Sequence, residues 1–336
     1  MPKRLSKMAI KKIVSKIEGA TSIILSTHRQ CDGDGLGAQL GLFHAFKKIG
    51  KKVRVLNVDA VPNKYRFLHP EKHLQYFEEK FDPVQPTDLA LILDTNDKRL
   101  LEPLYPTLEK CCKEIIFVDH HPILAAGPSP TPTSYIDTKA ASTGEIAYQI
   151  IKELGIPFDA QMARAIYTSI AFDTQLFRYV RNSPASHLIA ADLLKYECDP
   201  AEVHRFLFAN HKVEKFKFLA SVLDQMEYFE DSQLAILKIN AQDLESHGMT
   251  VEDSRDLIDL LMNVESLVAA AMIIEISSSQ FKVSIRSKGA FEVRAIAELL
   301  GGGGHMFASG ATVEMPYAKI RQTIVTELTK LIKATA

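Results

Sequence analysis

Tryptophan is missing from this chain, and cysteine is scarce, with four in 336 residues. Cys31, Cys111, Cys112 and Cys198 show no C-x-x-C spacing and are a poor disulfide framework for this length, so a reducing cytoplasm is the expected compartment. An excess of either charge is also lacking: 40 Lys and Arg face 41 Asp and Glu, for a formal net charge of -1. That balance provides no large basic face, and tight electrostatic binding of duplex nucleic acid is not expected. Short anionic ligands remain open. Long hydrophobic runs are absent too. The longest, 267–274, ends at Glu275 and is far too short for a bilayer core of about 30 Å. The N-terminal segment MPKRLSKMAIKKIVSKI lacks the continuous apolar core of a signal peptide and alternates Lys with apolar residues, which reads as an amphipathic helix packed on the protein body. A membrane-surface helix shares that pattern, but nothing else suggests an anchor.

What is present is ordinary globular material, 46% hydrophobic and 24% charged, in a chain long enough for two domains. The first half alternates short apolar runs with helical periodicity, which predicts parallel strands joined by crossover helices. Strands are expected at 22–27, 53–58, 88–94 and 114–119, the last two ending in Asp94 and Asp119. Helices are expected from Ser142 or Thr143 to Gly155 and over 160–172. The stretch 184–229 reads as helical almost throughout, with breaks at Asp199-Pro200 and Asn210-His211. The remainder changes character, with a strand at 234–239, a helix at 251–264, a hairpin of strands 268–277 and 281–288, a helix at 291–300, the run GGGGH, a strand at 309–315 and a closing helix from Tyr317. The expected fold class is α/β: an N-terminal mainly parallel-sheet domain (1–185), a helical connector (186–229) and a smaller C-terminal α/β domain (230–336).

Four segments carry chemistry. His28-Arg-Gln-Cys-Asp32-Gly-Asp34-Gly lies where the first strand gives way to a helix, and in an open parallel sheet that edge lines the ligand crevice. A polar loop with a helix cap explains this segment alone as well as a metal site does. Asp94 closes a second strand, and Asp119-His120-His121 closes a third. Together these strand ends concentrate three His and four Asp on one edge, and such a charge density needs cations. Mixed His and carboxylate donors favour Mn²⁺, Zn²⁺, Fe²⁺ or Co²⁺ over Ca²⁺, and so many donors suit two ions better than one. Asp173 ends an apolar helix, where the helix dipole disfavours an acid. In isolation it reads as an exposed loop residue; a metal would give it a partner. Finally, Gly301 to His305 allow close backbone approach, and consecutive N–H groups there are expected to form an anion-binding nest with His305, while Arg286 supplies a charge-assisted bond to phosphate.

These motifs, in this order and spacing, resemble the DHH phosphoesterase family with its DHH-associated C-terminal domain, over nearly the whole chain. Within that family the length and plan are similar to the nanoRNase and pAp phosphatase type. The resemblance implies one metal on His28, Asp32 and Asp94, and a second on Asp34, Asp94, His120 and Asp173, with Asp94 bridging. It implies that Asp119 supports the site or adds a ligand, that His121 faces the scissile phosphate, and that Arg286, Gly302, Gly303, Gly304 and His305 bind the substrate's phosphate or terminal nucleotide. It further implies two divalent ions, with Mn²⁺ expected and Mg²⁺, Co²⁺ or Fe²⁺ as alternatives, short RNA oligonucleotides and pAp as partners, and a possible homodimer. Cys31, Gly35, Ala38 and Gln175 depart from the commonest family residues without removing a ligand. The reaction expected is hydrolysis of very short oligoribonucleotides and of pAp to mononucleotides. Alternatives are a cyclic or linear dinucleotide phosphodiesterase, a processive exonuclease on long single strands, and a non-catalytic nucleotide sensor; pyrophosphatase or polyphosphatase activity fits less well with the GGGGH segment.

Overall fold

In the computed structural model, residues 2–78, 85–123, 127–289 and 291–335 are described, and the chain divides into two compact units, Met1–Asn210 and His211–Ala336. The first opens with helix α1 (Pro2–Gly19), which buries Ile10, Ile13, Val14 and Ile17 on one stripe, as its periodicity requires. Strand β1 (Ser22–Thr27), helix α2 (Gly33–Lys48), strand β2 (Lys52–Asn57) and short strand β3 (Leu74–Tyr76) follow. Then come β4 (Thr87–Leu93), α3 (Tyr105–Cys111), β5 (Cys112–Asp119) and the two-residue strand β6 (Tyr135–Ile136). Helices α4 (Thr143–Glu153), α5 (Ala160–Asp173), α6 (Ala185–Leu193) and α7 (Pro200–Phe208) complete the unit.

Its sheet is parallel throughout, in the order β3-β2-β1-β4-β5-β6. The central strands are buried on both faces, which explains why they read as continuous apolar runs. Leu89, Leu91 and Leu93 of β4 join one core cluster, and Ala90 and Ile92 join the other. Strands β1, β4 and β5 run the same way, so Thr27, Leu93 and Asp119 end together at one sheet edge, the edge from which the polar loops leave.

The second unit begins with α8 (Val213–Leu223), β7 (Glu227–Phe229), β8 (Leu234–Ile239), α9 (Ala241–Ser246) and α10 (Leu257–Leu261). It continues with β9 (Ala269–Glu275), β10 (Gln280–Ser287), α11 (Arg294–Leu299), β11 (Gly303–His305), β12 (Ala308–Glu314) and α12 (Tyr317–Thr335). The sheet order is β11-β12-β10-β9-β8-β7, with only β8 and β9 parallel among its pairs. One face packs on α11 and α12 through Ile296, Ile320, Ile324 and Leu328, the other on α8 to α10 through Phe218, Leu244 and Leu257.

Several expectations need correction. The expected connector is divided: α6 and α7 bury Ile189, Leu193, Val203 and Leu207 in the first unit's core, while α8 buries Phe218 and Val222 in the second's. Its last three residues are strand β7, paired antiparallel to β8. The single helix expected over 251–264 is a short 3₁₀ turn, Glu252–Ser254, followed by α10. The helix after the hairpin starts at Arg294 rather than 291, and α9, β3 and β6 were not foreseen. The end of the glycine run enters strand β11, and just before it Gly302 lies so close to β12 that a Cβ there would fall 2.1 Å from the Gly310 carbonyl oxygen. Gly304, at φ +134°, takes a backbone conformation that only glycine adopts readily.

Candidate active site

The site begins with Asp32, whose carboxylate accepts the N–H of Asp34 at 3.0 Å and caps α2. The cap and the candidate ligand are therefore the same residue. His28 Nδ1 lies 2.7 Å from the Arg29 carbonyl oxygen, so that nitrogen is the donor there and Nε2 is the one turned to the carboxylates. Nε2 stands 3.9 Å from Asp32 Oδ1 and 3.5 Å from Asp94 Oδ2.

Helix α2 lies against α5 with glycine at the contact: a Cβ on Gly37 would fall 2.4 Å from the Ala165 carbonyl oxygen. A Cβ on Gly144, at the start of α4, would strike the Ser169 hydroxyl. This closeness places Asp34 under three donors: Thr143 N–H at 2.8 Å, Gly144 N–H at 3.1 Å and the Ser169 hydroxyl. Burial still raises the Asp34 carboxyl to about 6, against the opposing pull of those hydrogen bonds.

Asp94 follows β4 in a left-handed conformation, φ 62°, a region that Asp tolerates better than most residues. Its N–H bonds Val118 at 3.0 Å and its Oδ1 accepts the Thr143 hydroxyl at 3.0 Å. Oδ2 faces His28, while Oδ1 lies 3.7 Å from both His120 Nε2 and His121 Nδ1. Burial and the charges of Asp34, Asp32, Asp119 and Asp173 all push the Asp94 carboxyl well above its ordinary range.

His120 is fully buried, with Nδ1 3.3 Å from the Ala140 carbonyl oxygen, and its Nε2 stands 3.4 Å from both Asp34 Oδ2 and Asp173 Oδ2. Asp173 ends α5 and is likewise raised, by burial and by Asp34 and Asp32, although His121 and Arg181 partly counter this. Asp119 is occupied within the protein. Its Oδ1 accepts His120 N–H at 2.7 Å and His121 Nδ1 at 2.8 Å, and its Oδ2 accepts the Asn96 amide at 2.7 Å. Burial lowers the His121 pKa, but the Asp119 hydrogen bond and charge outweigh it and carry the ring up to about 9.

Three groups of side chains thus converge with ligand atoms within 4.8 Å: His28, Asp32 and Asp94; Asp34, His120 and Asp173; and Asp94, Asp119, His120 and His121. This donor set fits divalent cations. Donors about 2.1 Å from a common ion stand roughly 3.0–3.4 Å apart, close to the spacings around His120 Nε2. Carboxylates held together with raised pKa values also call for positive charge.

In the second unit, Arg286 Nε donates to Asp259 Oδ1 at 2.9 Å and Nη1 to the Ile285 carbonyl at 3.3 Å. Gly303 to His305 pair with Ala308 to Gly310, and Arg286 pairs with Ala308 across β10 and β12, so Arg286 and the glycine strand are borne by one sheet.

Asn96, Ser169 and Arg181 were not anticipated. Ser169 is a small residue inside an apolar helix and carries no local signal. Arg181 donates to the Thr138 carbonyl oxygen and lies 3.3 Å from His120 Nδ1. Its approach follows consecutive left-handed residues Gln175, Leu176 and Phe177, a costly conformation for side chains of this kind.

Family models match both units: the DHH family, N-terminal domain, at residues 22–170, and the DHHA1 domain at 231–334. The bifunctional oligoribonuclease and PAP phosphatase NrnA of Thermus thermophilus is 30% identical over 327 residues, 96% of this chain and 94% of the relative. The protein of the same name from Bacillus subtilis is 26% identical over 299 residues, 87% and 89% of the respective chains. An exopolyphosphatase-related protein from Bacteroides fragilis shares the fold, with a TM-score of 0.86 at 22% identity and 96% of each chain covered. With the metal-type cluster at the strand ends of its first unit and a DHHA1 domain as its second, the chain belongs to the DHH family.

Proposed function

We propose that this protein hydrolyses very short oligoribonucleotides to mononucleotides and 3′-phosphoadenosine 5′-phosphate to AMP. The observation that carries the reading is the Asp94 carboxylate, which turns one oxygen to His28 and the other to His120. A carboxylate shared in this way suits two ions, one held by His28, Asp32 and Asp94, the other by Asp34, Asp94, His120 and Asp173. When bound, two divalent ions lower the pKa of a water and neutralise charge developing on a phosphoryl group. Mixed imidazole and carboxylate donors favour Mn²⁺, with Mg²⁺, Co²⁺ or Fe²⁺ as substitutes.

The chain's own residues supply the rest. Ser169, Thr143 and Gly144 orient Asp34, and the Ala140 carbonyl and Arg181, both on the Nδ1 side, hold the His120 ring with Nε2 turned to Asp34 and Asp173. Asp119 holds His121 through Nδ1, which leaves Nε2 to donate to the scissile phosphate or to the leaving oxygen. Arg286, braced by Asp259, and Gly302, Gly303, Gly304 and His305 bind the terminal phosphate or nucleotide. NrnA relatives named for oligoribonuclease and PAP phosphatase activity, aligned over most of the chain, support this substrate class. Near-zero net charge suits mono- and dinucleotides better than long strands. The four cysteines are all free, in keeping with work in a reducing cytoplasm, and no described helix is long and apolar enough to cross a membrane.

Product analysis tests the reading. With Mn²⁺, 5′-pApA and pAp are each expected to yield AMP, and Asp94→Asn is expected to yield none above background. Cleavage of cyclic di-adenylate alone would replace this substrate class with signalling-nucleotide turnover.

A further inference from the structure

The turn between β11 and β12 is built from unusual residues. His305 pairs with Ala308, so the loop consists of Met306 and Phe307 alone. Two-residue hairpin loops favour Gly, Asn and Asp. Here they are two large apolar side chains, 47% and 39% exposed. A choice against both local preference and burial points to a role outside folding.

The backbone beneath them is pinned. Val293 N–H donates to the Met306 carbonyl oxygen at 2.8 Å, and Ser287 N–H to that of Phe307 at 3.1 Å. The Phe307 ring therefore sits on a fixed base, one residue from Arg286's strand partner Ala308 and two from His305. An exposed aromatic ring on a fixed backbone, in the turn that adjoins the strands bearing Arg286 and His305, has the chemistry of a nucleotide platform: polar side chains of those strands take phosphate and the ring takes a base face.

We propose that Phe307, flanked by Met306, stacks on the nucleobase of the bound nucleotide and makes this unit prefer a base-bearing phosphate over a bare one. This specificity role rests on the substrate class proposed above. Stacking on any π face tolerates base identity, so the platform selects nucleotides without selecting sequence.

The test is binding, read without turnover. The full-length chain is titrated in chelator against 2-aminopurine riboside 3′,5′-bisphosphate, whose fluorescence is quenched on stacking. Wild type is expected to quench saturably, Phe307→Ala to need about tenfold more protein and to reach lower final quenching, and Phe307→Tyr to restore both. Binding of ribose 3′,5′-bisphosphate, which lacks a base, read by calorimetry in the same chelator buffer, is expected to be unchanged in Phe307→Ala. Equal quenching by wild type and Phe307→Ala, absence of quenching by wild type, or equal weakening of both ligands would overturn the proposal. Saturable, Phe307-dependent quenching by a chain that hydrolyses neither pApA nor pAp would uphold the platform and overturn the hydrolytic reading.

Discussion

His121 Nδ1 donates to Asp119 Oδ1 at 2.8 Å, and the other Asp119 oxygen is held by the Asn96 amide at 2.7 Å. The three residues form a relay of orientation in which Asn96 sets Asp119 and Asp119 sets the imidazole. Asn96→Ala is expected to lower kcat on pApA about 10- to 100-fold while metal affinity stays within about twofold, because Asn96 holds Asp119, which belongs to neither of the two proposed ion-binding sets. Steady-state kinetics beside a metal titration check this. Loss of metal affinity in step with kcat would show that Asn96 supports the ions rather than His121.

Metal-free stability should depend on pH in a direction that the raised carboxyls dictate. Asp34 has a folded pKa of about 6, above the ordinary value of about 3.9, so between the two the folded state holds more protons than the unfolded one. Its contribution is greatest below about pH 4 and is lost as pH rises through 6; Asp94 and Asp173, also raised, act in the same direction. Cations that relieve this repulsion should therefore raise the Tm more at pH 7.5 than at pH 5. Thermal melts in chelator and in Mn²⁺ at the two pH values read the difference, and equal gains at both would contradict it.

Space at position 35 is tight. A Cβ there would stand 2.2 Å from the Thr27 hydroxyl oxygen and 3.2 Å from Asp94 Oδ2. Gly35→Ala is expected to cost about 2 kcal/mol or more in stability and to weaken metal binding through Asp94. Gly19, with nothing within 4 Å, is the control: Gly19→Ala should be neutral or stabilising by up to about 1 kcal/mol. Denaturant melts of the pair decide the matter, and equal small effects would show that the α2 start can yield.

Arg286 owes its orientation to Asp259, through the Nε bond at 2.9 Å. Asp259→Asn is expected to raise KM for pApA about three- to tenfold with kcat near wild type, and Arg286→Ala to raise it further. If Asp259→Asn lowers kcat and leaves KM alone, Arg286 is not a ground-state phosphate contact.

Much of this architecture was legible because it is written locally. Asp94 and Asp119 stand at the ends of apolar runs that could only be buried parallel strands, and Ser142 announces α4 by its position before a helical pattern, as the cap it gives to Glu145 N–H shows. Strands β3 and β6 escaped notice because two or three residues carry no periodicity and owe their form to neighbouring strands. The strand at the end of the glycine run is hard to read for a related reason. Four glycines permit a nest and a tightly packed strand equally, and the choice is made by β12, whose Gly310 leaves room. Ser169 and Arg181 reach the site through contacts with Asp34 and His120 that are remote in sequence, so no local pattern could place them.

Hydrolysis is proposed to run on two cations gathered around Asp94. The most direct measurement strips the protein with chelator, restores Mn²⁺ stepwise, and follows AMP formation from 5′-pApA against bound metal in wild type and Asp94→Asn. No activity is expected without metal, full activity only as the second equivalent per chain binds, and none at any Mn²⁺ level in Asp94→Asn. Undiminished AMP formation in chelator, or an active Asp94→Asn, would contradict it.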